Sequence, residues 1–357
     1  MTDLLSRAAQ GARLTPDEGL ALFDAPLLEL GLAADARCRA LHSGETRTYA
    51  IGRNINYTNI CTSCCAFCAF YRGVKSREGY LLSINDILTK VAEMVAVGGT
   101  EMLLQGGLHP VLPLSWFEDV FRAVAATYPE VQIHALSPPE ILHLAELEGV
   151  PVPDVLARLR EAGLASIPGG GAEILVDRVR SLISPRKYAA DQWLSVMREA
   201  HRQGLPTTAT MMYGHVESLD ERIAHLECLR ALQDTSGGFV GFIPWPFQPG
   251  TTPLARRNDL TGDGGGVGFL RMLAISRLYL DNISHLQSSW VTQGLKLGQL
   301  GLCFGADDLG STMMEEQVVS AAGTTYHTNA DTLRHLIADL GFRPAQRTTT
   351  YRLVGSA

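Results

Sequence analysis

The sequence contains no apolar run long enough to cross a membrane and no long run of like charges. A membrane-spanning helix needs about 20 consecutive, mostly apolar residues. The net charge is −7, and the basic residues form no stripe of the kind that binds nucleic acids. The first residues are polar and acidic, which is not typical of a signal peptide. We therefore expect a cytoplasmic protein whose partners include neither a membrane nor a nucleic acid.

Internal repeats and low-complexity tracts are also lacking. The chain has 357 residues, of which 46% are hydrophobic, so a sizeable core is expected. That length suits a single α/β barrel with additions. We predict an N-terminal helical extension over residues 1–45, where Thr15 and Glu18 form a capping box and Pro16 takes the first helical position. Residues 46–357 are predicted to form one barrel that ends in a C-terminal closing segment.

Short apolar strands alternate with longer amphipathic stretches from residue 50 onward. This alternation predicts the α/β fold class, with a parallel sheet and right-handed crossovers. About eight strand–helix units favour a (β/α)8-type TIM barrel over a doubly wound sheet. The eighth unit, with a strand at 302–306 and a helix at 332–340, is weak, so a partly open barrel remains an alternative. Residues 262–268 are expected to be a flexible loop.

Glycine and polar residues cluster directly after several predicted strands. In a barrel of parallel strands, these positions share the C-terminal rim, where active sites are built. A cysteine-rich loop follows the first predicted strand, at 55–61, and is expected on the same rim. The other rim segments are 105–107, 137–138, 169–171, 214 and 248–250.

Four of the seven cysteines fall within residues 61–68. Cys61, Cys65 and Cys68 have the spacing C-x3-C-x2-C. Thiolates this close cannot all pair as disulfides, but they can converge on soft iron or zinc. Such cysteine use suits a reducing compartment. Because three ligands on a four-metal cluster leave one metal open, this loop predicts a catalytic metal centre.

Spacing alone leaves other metal sites open. Zinc requires a fourth nitrogen or sulfur ligand, normally from a second paired motif, and none is evident in the sequence. A simple iron–sulfur electron carrier would need a fourth cysteine. Cys38, Cys228 and Cys303 are isolated candidates for that position.

The three cysteines, with the aromatic Phe67 just before the last of them, resemble the radical S-adenosylmethionine (SAM) superfamily. The resemblance implies a barrel in which Cys61, Cys65 and Cys68 hold a [4Fe–4S] cluster while SAM chelates the fourth iron. One electron from a cluster of low potential then cleaves SAM and releases a 5′-deoxyadenosyl radical. A triplet with Cys64 in place of Cys65 is also spaced for a cluster, but the superfamily pattern favours Cys65 and leaves Cys64 as a bystander.

The resemblance also implies which residues contact SAM. A glycine-rich segment that contacts the SAM amino group in the superfamily matches residues 105–107, after the second strand. A carboxylate after the fourth strand is placed to accept hydrogen bonds from ribose hydroxyls. Aromatic side chains beside the cysteines are placed to flank the adenine, whereas the GxIxGxxE motif is only partly matched, at 210–217. The cofactor-binding candidates are Phe67, Tyr71, Gln105, Gly106, Gly107 and Glu173.

Longer stretches resemble the cyclic dehypoxanthinyl futalosine synthase family of the futalosine route to menaquinone. The implied reaction is hydrogen abstraction from C4′ of the ribose of dehypoxanthine futalosine, followed by carbon–carbon bond formation to the benzoate ring. Several stretches are shared with the sister aminofutalosine synthases and F0 synthases, which remain alternatives. The resemblance runs over residues 50–345 and rests on 52–61, 67–72, 104–110 (LQGGLHP), 133–138 (IHALSP), 168–175 (PGGGAEIL) and 305–316 (GADDLGSTMMEE).

The implied reaction needs a base and groups that hold the substrate. His109 and His134 are the histidines on rim segments, and Tyr57 is expected to point into the barrel. His134 could equally be a satisfied core histidine, and His109 a loop residue with only a hydrogen-bonding role. The implied electron donor is a flavodoxin or ferredoxin, and an iron–sulfur electron carrier is the alternative that is not an enzyme. The substrate-binding candidates are Arg72, Gln287, Trp290 and Asp307.

Overall fold

A computed structural model describes residues 1–42, 45–258, 260 and 265–355. Within them, short strands alternate with helices, and every recorded pairing between strands is parallel. The strands are β1 (Thr46–Ala50), β2 (Gly52–Asn56), β3 (Glu101–Gln105), β4 (Gln132–Ala135), β5 (Leu164–Ser166), β6 (Thr207–Tyr213), β7 (Phe239–Pro246), β8 (His285–Leu286), β9 (Asp308–Ser311) and β10 (Arg343–Gln346). The predicted α/β class is confirmed.

The helices pack around the outside of the strands, and the first three of them precede β1. They are α1 (Thr2–Ala9), α2 (Pro16–Ala21), α3 (Leu27–Leu41), α4 (Ile84–Ala96), α5 (Leu114–Thr127), α6 (Pro138–Glu148), α7 (Val152–Ala162), α8 (Asp177–Ile183), α9 (Ala190–Arg202), α10 (Leu219–Ser236), α11 (Pro253–Asn258), α12 (Gly265–Tyr279), α13 (Trp290–Gln293), α14 (Leu295–Gly301) and α15 (Ala330–Asp339).

Strands β2 to β9 form a closed ring. The order β2-β3-β4-β5 is joined to β6-β7-β8 by a parallel bridge between Ile167 and Thr207. A second bridge, between Gln287 and Asp308, joins β8 to β9. Strand β9 pairs with β1, which runs almost directly into β2. The structure is therefore a TIM-barrel-like ring, and the partly open alternative does not describe it.

Alternation along the strands separates the interior of the ring from the helix layer. In β6, Thr208 and Thr210 line the interior, whereas Ala209 and Met211 are fully buried on the other face. The helices present one apolar face to these strands, as in α9, where Trp193 and Met197 are fully buried. This is the expected result of a period of 2 in strands and 3.6 in helices. It separates a lumen lined by mixed polar and apolar side chains from the apolar layer under the helices.

Two expectations about local structure were wrong, and one is confirmed. The capping box of Thr15 and Glu18 starts α2 as predicted. The eighth strand of the ring is β9 rather than residues 302–306, which follow α14 and include a turn through Gly305, whose φ is +97°. Of the loop predicted at 262–268, residues 265–268 belong to α12, and 262–264 lie outside the described residues.

Residues 347–353, which we call the strap, cross the N-terminal mouth of the barrel. Both carboxylate oxygens of Asp308 on β9 accept hydrogen bonds from Arg347, at 2.6 and 2.8 Å. The hydroxyl of Thr349 donates to Glu101 on β3 at 2.8 Å. The ring of Tyr351 stacks on His285 of β8, with centroids 3.7 Å apart. The strap therefore contacts opposite sides of the ring and closes its lower end.

We expect Arg347→Met to lower the free energy of unfolding by about 3–5 kcal/mol, because it leaves the fully buried Asp308 carboxylate without its cation. Arg352→Met, on the exposed part of the strap, should change it by about 0.5 kcal/mol or less. Urea denaturation of both variants under reducing conditions measures the difference. Equal unfolding midpoints would show that the strap does not hold the barrel closed.

Candidate active site

The cysteine loop is fixed to the C-terminal rim by backbone hydrogen bonds. The N–H of Cys61 donates to the carbonyl of Arg72 at 3.0 Å, and the N–H of Arg72 donates to the carbonyl of Asn59 at 2.7 Å. The loop is tied to the segment after β3, because the N–H of Thr62 donates to the carbonyl of Leu108 at 3.1 Å. The loop is therefore held at both ends and against the neighbouring strand.

Two of the four clustered cysteines, Cys65 and Cys68, have thiols that the fold shelters from water. Cys65 is only 6% exposed and lies 3.4 Å from the hydroxyl of Ser63. Cys61 accepts a hydrogen bond from the N–H of Leu108 at 3.3 Å. Burial raises the pKa of the Cys65 thiol, and raises that of Cys68 to about 11. A bound metal must therefore displace these protons.

Cys64 is arranged differently from its neighbours. Its φ is +51°, a left-handed conformation that reverses the chain at this point. Its Sγ lies 3.8 Å from the carbonyl oxygen of Cys61, within the loop itself. This arrangement favours the register that leaves Cys64 out of the metal site.

Two glycines after β3 let the cysteine loop lie directly on the strand end. A Cβ atom at Gly107 would be 2.2 Å from the carbonyl oxygen of Ile60, which no real contact allows. The N–H of Gly106 donates to the carboxylate of Glu140 at 3.0 Å. Tyr57 donates its hydroxyl to the same carboxylate at 2.9 Å. The glycine turn is thus held from outside the barrel by the buried Glu140.

Tyr57 does not point into the barrel as expected. It packs against Trp116 and Phe117 of α5, with ring centroids 5.6 and 5.2 Å away. Strand β2 ends at Asn56, so the alternation that we extended through Tyr57 stops one residue earlier. Tyr57 therefore orients Glu140 from the helix layer.

Glu173 and Lys187 form a buried ion pair beside the cysteine loop. Lys187 Nζ lies 2.8 Å from Glu173 Oε1, and both side chains are mostly buried. Burial alone would lower the pKa of Lys187, but the carboxylate of Glu173 and the nearby Cys65 raise it above its usual value. Lys187 Nζ is also 5.5 Å from the centre of the Phe67 ring. Glu173 was anticipated from the sequence, whereas its partner, 14 residues along the chain, was not.

A chamber of about 270 Å³ runs down the lumen from this rim. Its lining is mainly apolar and neutral polar, with few charged groups. Near the rim it is lined by Gln105, Gly170, Glu173, Trp245 and Met313. Its middle is lined by Thr208, Thr210, Ile243, Gln287 and Trp290. Its floor is lined by Asn54, Glu101, His134, Arg347, Thr349 and Tyr351.

Some of the predicted substrate and catalytic residues line this chamber. His134 is 5% exposed, and its Nδ1 shares a 2.7 Å hydrogen bond with the hydroxyl of Ser166. Burial lowers the pKa of His134 to about 4, so its ring is neutral at pH 7. Trp290 is fixed by a hydrogen bond from its indole N–H to the carbonyl of Ser311 at 3.1 Å. Gln287 also lines the chamber.

Other predicted residues lie away from the chamber. The guanidinium of Arg72 donates to the loop carbonyls of residues 69–71 and pairs with Glu78. His109 lies on the outer side of the glycine turn, where its carbonyl accepts from His143. Tyr71 is partly exposed in the cysteine loop. The side chains of Arg72 and Tyr71 therefore lie in the cysteine loop, and that of His109 lies outside the glycine turn. All three are away from the lumen.

Asp307 belongs to a different cluster, at the opposite end of the barrel. Its carboxylate lies 2.6 Å from His285 and 2.7 Å from Arg277, and His42 is 3.6 Å away. Among the described residues, this is the only group of three metal-binding side chains with ligand atoms within 4.8 Å of one another. The guanidinium of Arg277 already supplies the cation there, so the cluster is an ion-pair network rather than a metal site.

Comparison with known proteins bears on this site. Residues 55–229 match the model of the radical SAM superfamily, and residues 236–356 match that of the CofH/MqnC C-terminal region. Cyclic dehypoxanthine futalosine synthase of Streptomyces coelicolor is 45% identical over 98% of this chain and 87% of its own length. A 5-amino-6-(D-ribitylamino)uracil–L-tyrosine 4-hydroxyphenyl transferase of Methanosarcina barkeri is 41% identical over 98% of this chain and 93% of its own length. The chain belongs to the radical SAM superfamily.

A solved structure supports the same fold. Methylornithine synthase has a TM-score of 0.76 with this chain at 17% identity, covering 96% of this chain and 97% of its own. At that identity the likeness concerns the fold alone. It confirms the barrel expected from the sequence.

The protein is therefore a radical SAM enzyme, with a [4Fe–4S] cluster and SAM as cofactors. The residues present fit these groups. Cys61, Cys65 and Cys68 lie on one loop at the rim, where Cys61 accepts an N–H bond, and the buried Glu173, paired with Lys187, lines the chamber. Ammonium and carboxylate groups of this kind match the carboxylate and hydroxyl or amino groups of SAM. Among the described helices, none combines the length and apolar composition that a bilayer span requires.

The partly matched motif at 210–217 folds onto itself. The carboxylate of Glu217 accepts from the N–H groups of Gly214 and His215 and from Arg222. These hydrogen bonds use both oxygens of the Glu217 carboxylate within its own turn. Its neighbours in the turn, rather than a ligand, account for its burial.

We expect Gly107→Ala to lose most of its cluster iron, because the added methyl would displace Ile60 and with it Cys61. Gly73→Ala is the matched control, since a Cβ at Gly73 meets no atom within 4 Å. Iron and sulfide content after anaerobic reconstitution of both variants gives the answer. Full iron loading of Gly107→Ala would contradict the role assigned to this close approach.

Proposed function

We propose that this enzyme is a cyclic dehypoxanthine futalosine synthase, the activity implied by the sequence resemblance and part of menaquinone biosynthesis. The observation that carries the proposal is the near-full-length identity of 45% to the Streptomyces coelicolor enzyme of that name. A second enzyme of that name, from Halalkalibacterium halodurans, is 43% identical over 98% of this chain. The substrate is then dehypoxanthine futalosine, and the enzyme would act in the cytoplasm.

Cys61, Cys65 and Cys68 would hold the cluster, and the rim around Gln105 and Glu173 would hold SAM. When bound, these groups supply a 5′-deoxyadenosyl radical that takes a hydrogen atom from C4′ of the substrate ribose. Closing a spiro ring on the benzoate, with loss of one proton to a base and of one electron back to the oxidised cluster, would then complete the conversion. A flavodoxin or ferredoxin would deliver the first electron.

The chamber suits this chemistry because it encloses the substrate within the barrel. The strap closes its lower end, and Glu173, paired with Lys187 beside the cysteine loop, lines its upper end. Enclosure excludes water and other hydrogen donors from a carbon radical. The rigid strands around the chamber also hold the two reacting carbons close together.

His134 is the proton acceptor that the geometry supports best. It is neutral at pH 7, since burial lowers its pKa to about 4. Its Nδ1 is bonded to Ser166, while its Nε2 bonds to no described residue and the side chain lines the chamber. Losing the proton restores an aromatic ring, so a weak base suffices. His109 and Tyr57, the other two candidates, lie outside the chamber and are not proposed for this step.

Gln287 and Trp290 are proposed to contact the substrate, since both line the chamber. Arg72 and Asp307 are committed to other partners. A second candidate function follows from the 41% identity to the tyrosine 4-hydroxyphenyl transferase of Methanosarcina barkeri. That enzyme, by its name, acts on tyrosine and 5-amino-6-(D-ribitylamino)uracil, so substrate choice separates the two.

The deciding experiment is anaerobic turnover of reconstituted enzyme with dithionite, SAM and dehypoxanthine futalosine, read by mass spectrometry. We expect a product two mass units lighter than the substrate, formed with 5′-deoxyadenosine, because one hydrogen is abstracted and one proton is lost. Cys65→Ser should abolish both, and Cys64→Ser should retain both. Turnover only with tyrosine and the ribitylaminouracil would replace this function with the transferase.

We expect His134→Gln to slow cyclised-product formation by about 10²–10⁴-fold, the usual contribution of a positioned base. Formation of 5′-deoxyadenosine should continue, because the glutamine lies below the cofactor rim. In the unchanged enzyme the rate should not respond to this histidine between pH 6 and 8, since its pKa lies near 4. His335→Gln, an exposed position, is the control. Should His109→Gln reproduce the defect instead, the base would lie outside the chamber.

A further inference from the structure

The strap places an aromatic side chain inside the lower lumen. The hydroxyl of Tyr351 lies against β7 at Gly241, where an added Cβ would be only 2.7 Å from it. Gly241 pairs with His285 and also with Thr208 in register. Tyr351 and His134 both line this part of the chamber.

The backbone of Tyr351 has an unusual conformation, which directs its side chain into the lumen. Its φ is +62°, a left-handed value that aromatic residues rarely adopt. Contacts on both sides maintain it: the ring stacks on His285 at 3.7 Å and lies 4.2 Å from the guanidinium carbon of Arg347. Strained residues that surrounding contacts hold in place often cluster at ligand sites.

Asn54 supplies a second hydrogen-bonding group at this floor. It is 4% exposed, and its Oδ1 is buried without a partner among the described residues. An acceptor left unpaired in this way has lost its hydrogen bonds to water without gaining a protein donor. A hydroxyl group of a ligand in the chamber would supply the missing donor.

The charges of the floor select against a carboxylate. Glu101 and Asp308 provide two carboxylates, and the strap provides one guanidinium, Arg347, which is bonded to Asp308. The other groups at the floor, Asn54, His134, Thr349 and Tyr351, are neutral hydrogen-bonding side chains. Burial raises the pKa of Tyr351 well above its usual value, so its hydroxyl keeps its proton. A carboxylate would therefore meet repulsion here, whereas a sugar hydroxyl would meet a donor and an acceptor.

We propose that Asn54 and Tyr351 form a hydroxyl-binding subsite at the floor of the chamber, which receives a hydroxyl of the substrate ribose and leaves C4′ turned toward the cofactor rim. The strap thereby sets the depth of the chamber and the orientation of the ribose. This inference rests on the proposed function, because it assigns a position to the ribose of that substrate.

The test compares steady-state kinetics of Asn54→Ala, Tyr351→Phe and Tyr351→Ala with those of the unchanged enzyme. Each loss of a hydrogen bond should raise KM for dehypoxanthine futalosine about tenfold. Tyr351→Ala should also release more 5′-deoxyadenosine per cyclised product, because the ribose is no longer held. Arg352→Ala, exposed on the same strap, should match the unchanged enzyme. The SAM-dependent change in the cluster spectrum should be the same in all variants.

Tyr351→Phe keeps the ring and its stacking, so it reports on the hydroxyl even if Tyr351→Ala does not fold. KM values within twofold of the unchanged enzyme for both Asn54→Ala and Tyr351→Phe would overturn the subsite while leaving the proposed function intact. Failure of the unchanged enzyme to cyclise this substrate would overturn the function and the subsite together. The two failures are therefore distinguishable.

Discussion

The close approach of Gly107 to the carbonyl of Ile60 is the contact on which the active site depends. Only a hydrogen atom fits between them, since a Cβ would lie 2.2 Å from the oxygen. This approach brings the cysteine loop onto the end of β3, where Leu108 donates its N–H to the sulfur of Cys61. The position of Cys61 is therefore set by the backbone of the segment that follows β3 rather than by the loop alone.

The two ends of the chamber are built for different groups. The rim has a fixed ammonium–carboxylate pair, Lys187 and Glu173, next to the thiols. The floor has neutral hydrogen-bonding groups around a bonded guanidinium. A cofactor with charged amino-acid groups suits the first environment, and a sugar suits the second. The walls between them are formed by strands, so both ends keep a fixed distance from the reacting atoms.

The positions of the cysteine loop, the glycine turn and Glu173 at the C-terminal rim could be predicted from the sequence because each is a local pattern that follows a strand. Lys187 could not, because its role depends on an ion pair across 14 residues of chain. The inward position of Tyr351 depends on a strap that crosses the whole barrel, which no local pattern reveals. Tyr57 was misplaced because strand alternation was extended one residue beyond the point where β2 ends. The positions of Lys187 and Tyr351 therefore depend on long-range contacts, which local sequence patterns do not predict.

The most direct test of this account is the electron paramagnetic resonance spectrum of the reduced cluster, recorded with and without SAM. Three cysteine ligands leave one iron open, so SAM should bind that iron and change the g values of the signal. Cys64→Ser should show the same change. A fully loaded cluster whose spectrum is identical with and without SAM would mean that all four irons are already ligated, and would contradict the assignment of the site.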